Sequence, residues 1–517
     1  MNFPRPKHHH TGPPPRHPAL TPPARSAAEY PHADLHGTFF ALAGVAITAL
    51  VVQGELPSTL GRIASVGVIF SLALSVFADW RLGGLRNLVR ADLMALLAFY
   101  FLTLFEFLFP QPNFDAMIDT RSTHAGVMCV LLGFVGLLIG RHLLHPKKQP
   151  FSDTLTRETP AVWIVVLFWA CFCIGYLHMM IAVNFNPVLM IEYFMDERFT
   201  QPWSRGRFGN WKAMIYELGM LINLIPPIAG IVIARRHRYS RLQLTLVCLG
   251  FALTVFYGFT TGTRNIIATY LVTFLIAYTY TLPAARQKEL TILFAASGVF
   301  MVFATHFMLE FRVVGFRNYI SASYDPPPPT ARTFFVDYNL YAMGRLTEVF
   351  PDKKDYLGWE IPYLALVRPI PRAIWPGKPE GMTYTIEDAL GVDGANVTIA
   401  ASFAGEAYIS GGLIAVFLIG LTFGALTGWW SHLASPKNSE LGILIYSSGF
   451  FAAVISMRSM FVFTTALLPT VAALVISTYL VGLLARQAQR LLATANLRGR
   501  QQSRRPGPPP PHQPARR

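Results

Sequence analysis

Apolar runs of about 20 residues, the length that crosses a hydrocarbon core of roughly 30 Å, recur along most of the chain and are separated by polar linkers. Reading them in order predicts helices at 38–54, 62–79, 93–110, 123–141, 161–183, 213–234, 242–260, 264–283, 290–309, 407–430, 441–457 and 461–485. One interval breaks the rhythm. Residues 310–406 are mostly polar, and within them the helical spacing of TFFVDYNLYAMGRLTEVF (333–350) predicts an amphipathic helix lying near the membrane, whereas Pro326 to Pro329 must be extended. The pattern predicts an all-α polytopic membrane protein of about 12 transmembrane helices with a large, partly helical extracytoplasmic loop. It divides the chain into a disordered tail (1–36), helices one to nine (37–309), the loop (310–406), helices ten to twelve (407–485) and a second disordered, basic, proline-rich tail (486–517).

Charge placement gives the orientation. Arg81, Arg86 and Arg90, then Arg141, Lys147 and Lys148, then Arg235, Arg236, Arg238 and Arg241, then Arg286 and Lys288 fall in every second linker. Those linkers are expected in the cytoplasm. Both tails are basic, so both termini are expected there too, and parity places the loop at 310–406 outside together with 184–212.

Composition agrees with this picture. Of 517 residues, 53% are hydrophobic and 14% charged, where soluble chains carry about 25% charged residues. The net charge of +15 comes from short clusters between apolar runs, which marks topology rather than nucleic-acid binding. Cys129, Cys171, Cys173 and Cys248 all lie inside apolar runs and read as packing residues. The first outer loop (55–62) holds one acid and no paired carboxylates, and no nucleotide-binding glycine motif is present, so neither a metal nor any other cofactor is expected.

Candidate chemistry gathers in the loop. In RPIPRAIWPGKPEG (368–381), prolines 369, 371, 376 and 379 stiffen a turn that presents Arg368, Arg372 and Lys378. Forked guanidiniums suit a pyrophosphate, although lipid headgroups or nearby acids are equal alternatives. Arg264 in TGTRN, Arg458 in SMRSM and Glu406 at the start of the tenth span should all lie near the outer face, where they could line one cavity with the loop. His306 sits one turn before Glu310 at the end of the ninth span. Arg205, Arg207 and Arg317 add supporting cations. The loop aromatics suit either an interfacial belt or sugar stacking.

The outer SRGRFGNW (204–211), TGTRN (261–265), PRAIWPGKP (371–379) and GEAYISGGLIAVFLIGLTFG (405–424) together resemble the Wzy-type oligosaccharide repeat-unit polymerases of the O-antigen polymerase family. The resemblance implies a glycosyltransferase of the bacterial cytoplasmic (inner) membrane. Such an enzyme transfers a growing glycan from undecaprenyl pyrophosphate onto a fresh lipid-linked repeat unit. It implies no cofactor, and as partners the lipid-linked oligosaccharides, the bilayer, and chain-length regulator and flippase proteins. The site would use Arg264, Arg368, Arg372 and Lys378 for the pyrophosphate, with Arg205, Arg207, Arg317 and Arg458 in support. Glu406, or His306 behind it, would be the base; Glu406 could equally neutralise an arginine or favour its helix start. A glycan ligase shares the topology and chemistry. A polyprenol-linked glycan exporter should carry buried charges along several spans, and here the charges gather at one face.

Overall fold

The computed structural model describes residues 31–145, 152–198, 200–203, 215, 217–283, 286–321, 336, 338–370, 372, 374–379, 386–391, 400–434 and 438–503. Among them every regular element is a helix. Eight helices are long and apolar enough to cross a membrane, so the chain is an α-helical polytopic membrane protein. The principal helices are α1 (Leu35–Val51), α2 (Pro57–Asn87), α3 (Ala91–Thr103), α4 (Thr120–Gly140), α5 (Ala161–Ala182), α6 (Ile225–Ala234) and α7 (Arg241–Thr260). They continue with α8 (Arg264–Thr281), α9 (Gln287–Val314), α10 (Asn339–Val349), α11 (Glu360–Val367), α12 (Ser402–Ser431), α13 (Glu440–Arg458) and α14 (Leu468–Ser503).

Helix starts follow local chemistry. Asp34 accepts from the first amides of α1, Asp119 and Ser439 cap α4 and α13, and Ser240 with Gln243 closes a capping box on α7. Where the expected spans shorten, a residue explains it. The third span stops as an α-helix at Thr103 and tightens into a 3₁₀ turn at Phe105–Leu108. Inside that turn the carboxylate of Glu106 accepts the amide of Val336 at 2.6 Å. The sixth expected span begins as a 3₁₀ turn, Leu218–Leu224, and becomes α-helical only where Pro226 and Pro227 take the first-turn positions that need no amide donor.

The loop differs from its sequence reading. Residues 339–349 do form a helix, and the apolar face of α10 packs against protein: Leu340, Met343 and Leu346 are buried, and Gly344 stands against Ser122 and Gly126 of α4. The apolar face that reads as interfacial is instead a core face. The exposed apolar stripe belongs to α11 and the turn after it, where Trp359, Tyr363, Leu366 and Ile374 are all exposed while Ile361 and Leu364 pack inward. The expected C-terminal tail is likewise helical as far as Ser503, because ARQAQRLLATANL (485–497) is rich in good helix formers.

The tightest helix pair is α4 with α12. A Cβ placed on Gly140 would stand 2.3 Å from the carbonyl oxygen of Leu421, and one on Gly424 would stand 2.4 Å from that of Leu137. Backbones this close require glycine, as expected where the solvent is lipid and packing replaces the hydrophobic drive. Near its start α12 is broken at Gly412, whose φ of +65° and 2.7 Å Cβ approach to the Tyr356 hydroxyl exclude a side chain. The preceding segment, 402–410, is buried throughout and carries Glu406.

Candidate functional site

Polar groups gather at the two ends of the bundle, and the two ends differ in kind. At the end where α3 begins and α12 finishes, Arg90 is fully buried, 2.7 Å from Asp79 and 3.0 Å from Asp92. Arg141 lies 4.0 and 3.9 Å from the same two acids. Ser431 donates to Asp92 at 2.8 Å, and the Asp34 amide donates to Asp79 at 2.7 Å. Glu440 at the start of α13 is bridged by Arg235 and Arg238. These ion pairs tie the helix ends together, so this end is a lock between helices.

At the opposite end several cations gather near one buried carboxylate. Glu406 is 4% exposed; its Oε1 accepts from the Ser459 hydroxyl at 2.5 Å and its Oε2 from the Phe461 amide at 3.0 Å. These two bonds fix the carboxylate against the turn that follows α13. Arg368, at the end of α11, lays its guanidinium 4.2 Å from the centre of the Phe461 ring. Burial lowers the pKa of Arg368 from its ordinary value, and the charges of Glu406 and Glu217 oppose that shift. The carboxylate and the stacked guanidinium therefore share one residue, Phe461, the first through its amide and the second through its ring.

The proline-framed turn extends this unit. Arg372 donates to the carbonyls of Lys378 and Pro379 at 2.9 and 3.1 Å, and the Lys378 ammonium donates to those of Arg368 and Ile370 at 2.6 and 3.0 Å. The cations thus close the turn on itself as well as charging it. Burial, followed by the charges of Arg372 and Arg368, lowers the pKa of Lys378, with Glu217 in opposition. Crowded cations that depress one another favour an anion among them.

A second cationic group lies at the same end. Burial, then Arg312, with Arg458 as a smaller cause, pulls Arg198 down to about 10. Arg458 is the last residue of α13 and precedes Ser459, the partner of Glu406. Arg264, 7% exposed, donates to the carbonyl of Val336, whose amide is held by Glu106, so it clamps the loop to the bundle. The Arg317 side chain is exposed while its amide bonds the Met195 carbonyl at 2.9 Å. His306 is exposed on α9 with its ring edge-on to Phe307. Arg205 and Arg207 lie outside the described residues.

The structure thus joins Glu406 to Arg368 and links Arg368 through its turn to Arg372 and Lys378. It places Arg264 and His306 in other surroundings. Ser459, Phe461, Glu217 and Glu106 escape a reading of the sequence. Glu106, in FYFLTLFEFLFP (99–110), and Glu217, in AMIYELGMLINL (213–224), do leave a signal there, each as the lone acid of an apolar run.

A family model described as a domain of unknown function (DUF8712) matches residues 340–485. The matched stretch contains Arg368, Arg372, Lys378, Glu406 and Arg458. No curated protein and no solved structure matches the chain.

Proposed function

We propose that this chain polymerises undecaprenyl-pyrophosphate-linked oligosaccharide repeat units into a surface polysaccharide, by glycosyl transfer at the outer face of the bacterial cytoplasmic membrane. The observation that carries the reading is the grouping of Glu406 with Arg368 and the Arg372–Lys378 turn at one end of a membrane-embedded helix bundle. The bond between the anomeric carbon and the pyrophosphate breaks with its electron pair going to the departing phosphate. A hydroxyl of the acceptor repeat unit attacks that carbon and gives up its proton. Arg368 and Lys378 stabilise the charge that develops on the leaving group. Glu406 takes the proton: its two hydrogen bonds orient it, and each oxygen keeps a lone pair. Arg372 holds the turn in shape, Arg458 adds positive potential, and Arg264 keeps the loop closed over the site. Arg317, Arg205 and Arg207 act as supporting cations. The polymerase works with both termini in the cytoplasm and twelve spans, counting the four shorter or more polar helices α1, α3, α6 and α8, and takes no nucleic acid or cofactor.

Deleting the gene and sizing the glycans separates this reading from its nearest rival. A polymerase leaves single repeats on the acceptor, whereas a ligase leaves full-length lipid-linked polymer that is never transferred. In the restored strain, Glu406→Gln at normal abundance should reduce polymer formation by about 10² to 10⁴. Arg368→Lys should also reduce it, because an ammonium cannot reproduce a planar group stacked on Phe461. Full-length polymer from both variants would overturn the assignment.

A further inference from the structure

A second feature begins beside the Glu406–Arg368 unit and runs along the apolar helices. Between α12 on one side and α13 and α14 on the other lies an open cavity of about 280 Å³. Its floor is a strip of small residues on α13, Gly449, Ala452, Ala453 and Ser456, whose spacing keeps them on one helix face. From Ile445 to Ser456 the cavity follows α13 for about 16 Å at 1.5 Å per residue. It is therefore long and narrow.

Its walls offer almost no polar contact. The hydroxyls of Thr427 and Ser456 are turned back to the carbonyls of Phe423 and Ala452 in their own helices. At the far end Trp430 is fixed by a 2.9 Å bond from its indole nitrogen to the Tyr446 carbonyl, and its ring fills the space a Cβ on Gly449 would need. Val471, on the rim, is 50% exposed. Such a groove accepts a hydrocarbon chain and gives a polar ligand little to bind.

The near end supplies the chemistry that selects among hydrocarbon chains. Phe463 closes it, with its ring centre 5.2 Å from that of Phe423. Two residues earlier, Phe461 bonds Glu406 through its amide and carries Arg368 on its ring. Ser456 is three residues from Ser459, the other partner of Glu406. The near end of the groove thus lies two residues along the chain from Phe461, the residue that carries Arg368. We infer that it binds the polyisoprenoid tail of a polyprenyl diphosphate, with the diphosphate at Arg368 and Lys378. This assignment rests on the proposed function and adds to it the element that recognises the lipid carrier.

The test measures binding of undecaprenyl diphosphate and of inorganic diphosphate to the purified full-length protein in phosphatidylcholine nanodiscs, for the native chain, Val471→Trp, Ala453→Phe and Arg368→Ala. Val471 is half exposed, so a larger side chain there fills the groove without entering the packed core, and thermal unfolding checks that the variant is folded. The expected result is that both filled variants lose tenfold or more in affinity for undecaprenyl diphosphate. Their affinity for inorganic diphosphate should stay within twofold of native, and Arg368→Ala should weaken both ligands. If Val471→Trp binds undecaprenyl diphosphate as the native chain does while Arg368→Ala does not, the groove assignment fails and the diphosphate site stands. If the native chain binds neither ligand, the polymerase reading fails with it. If phosphatidylglycerol displaces undecaprenyl diphosphate equally well, the groove is a general lipid contact and the inference is overturned.

Discussion

Buried charge in this protein is handled in two ways, and the difference lies in the partners of single residues. Arg90 meets Asp79 and Asp92 directly and gives its remaining donors to the carbonyls of His32 and Asn87. Removing it would leave two buried carboxylates with only Arg141 at 3.9 to 4.0 Å. Breaking a buried ion pair from one side costs about 3 to 5 kcal/mol. Arg90→Leu should therefore abolish or sharply reduce the yield of monodisperse protein, read by size exclusion and thermal unfolding. Glu406 is different: its partners are a hydroxyl and an amide, both neutral, and Arg368 lies on the ring of Phe461. Hydrogen bonds rather than an ion pair set its orientation. Glu406→Gln should leave the melting temperature close to native while activity falls, and a large loss of stability would mark Glu406 as structural.

Among the helices, the α4–α12 contact positions the site. α12 presents Glu406 at one end and Ser431 at the other, and its glycines lock it to α4 along the way. Gly424→Val would drive a branched side chain into the Leu137 carbonyl, 2.4 Å from where its Cβ must sit. Because that carbonyl is backbone, the helices must separate, and overpacking of this kind costs about 1 to 3 kcal/mol or more. The expected outcome is a lower melting temperature together with lower activity, whereas a surface substitution such as Leu418→Val on the same helix should change neither. The helices also show where periodicity misleads. The apolar stripes of α10 and α11 are both legible in the sequence, but which of them is covered by protein depends on Gly126 and Gly344 allowing α10 to approach α4. No helical wheel contains that information.

For the molecule as a whole, the proposed orientation makes a direct prediction. A reporter fused after Asp355 should register outside the cytoplasm, and fusions after Arg238 and at the C-terminus should register inside. A cytoplasmic signal from the Asp355 fusion would place the Glu406–Arg368 unit on the wrong side for a lipid-linked sugar acceptor and would remove the mechanism. In the fold Arg90, Arg141, Arg235 and Arg238 lie at one end and Arg198, Arg368 and Arg458 at the other.

The all-α membrane class, the positions of the long spans and the alternation of charged linkers are determined by the sequence alone, because hydropathy over about 20 residues and Lys/Arg placement are local properties that the bilayer reads directly. The sequence also singles out the proline-framed turn and Glu406, as charges beside apolar runs stand out without any structure. Which of those charges meet was decided only by tertiary packing. Glu406 and Arg368 are separated along the chain by a turn, a short helix and the loop residues between them, and the connection runs through Ser459 and Phe461 of a third segment. Arg264 looks as expensive as Glu406 in the sequence, yet packing assigns it to the Val336 carbonyl. The reason is physical: burial and partner choice depend on how helix backbones approach one another, and here that approach is set by glycines and a kink at Gly412 whose partners lie far away in the chain.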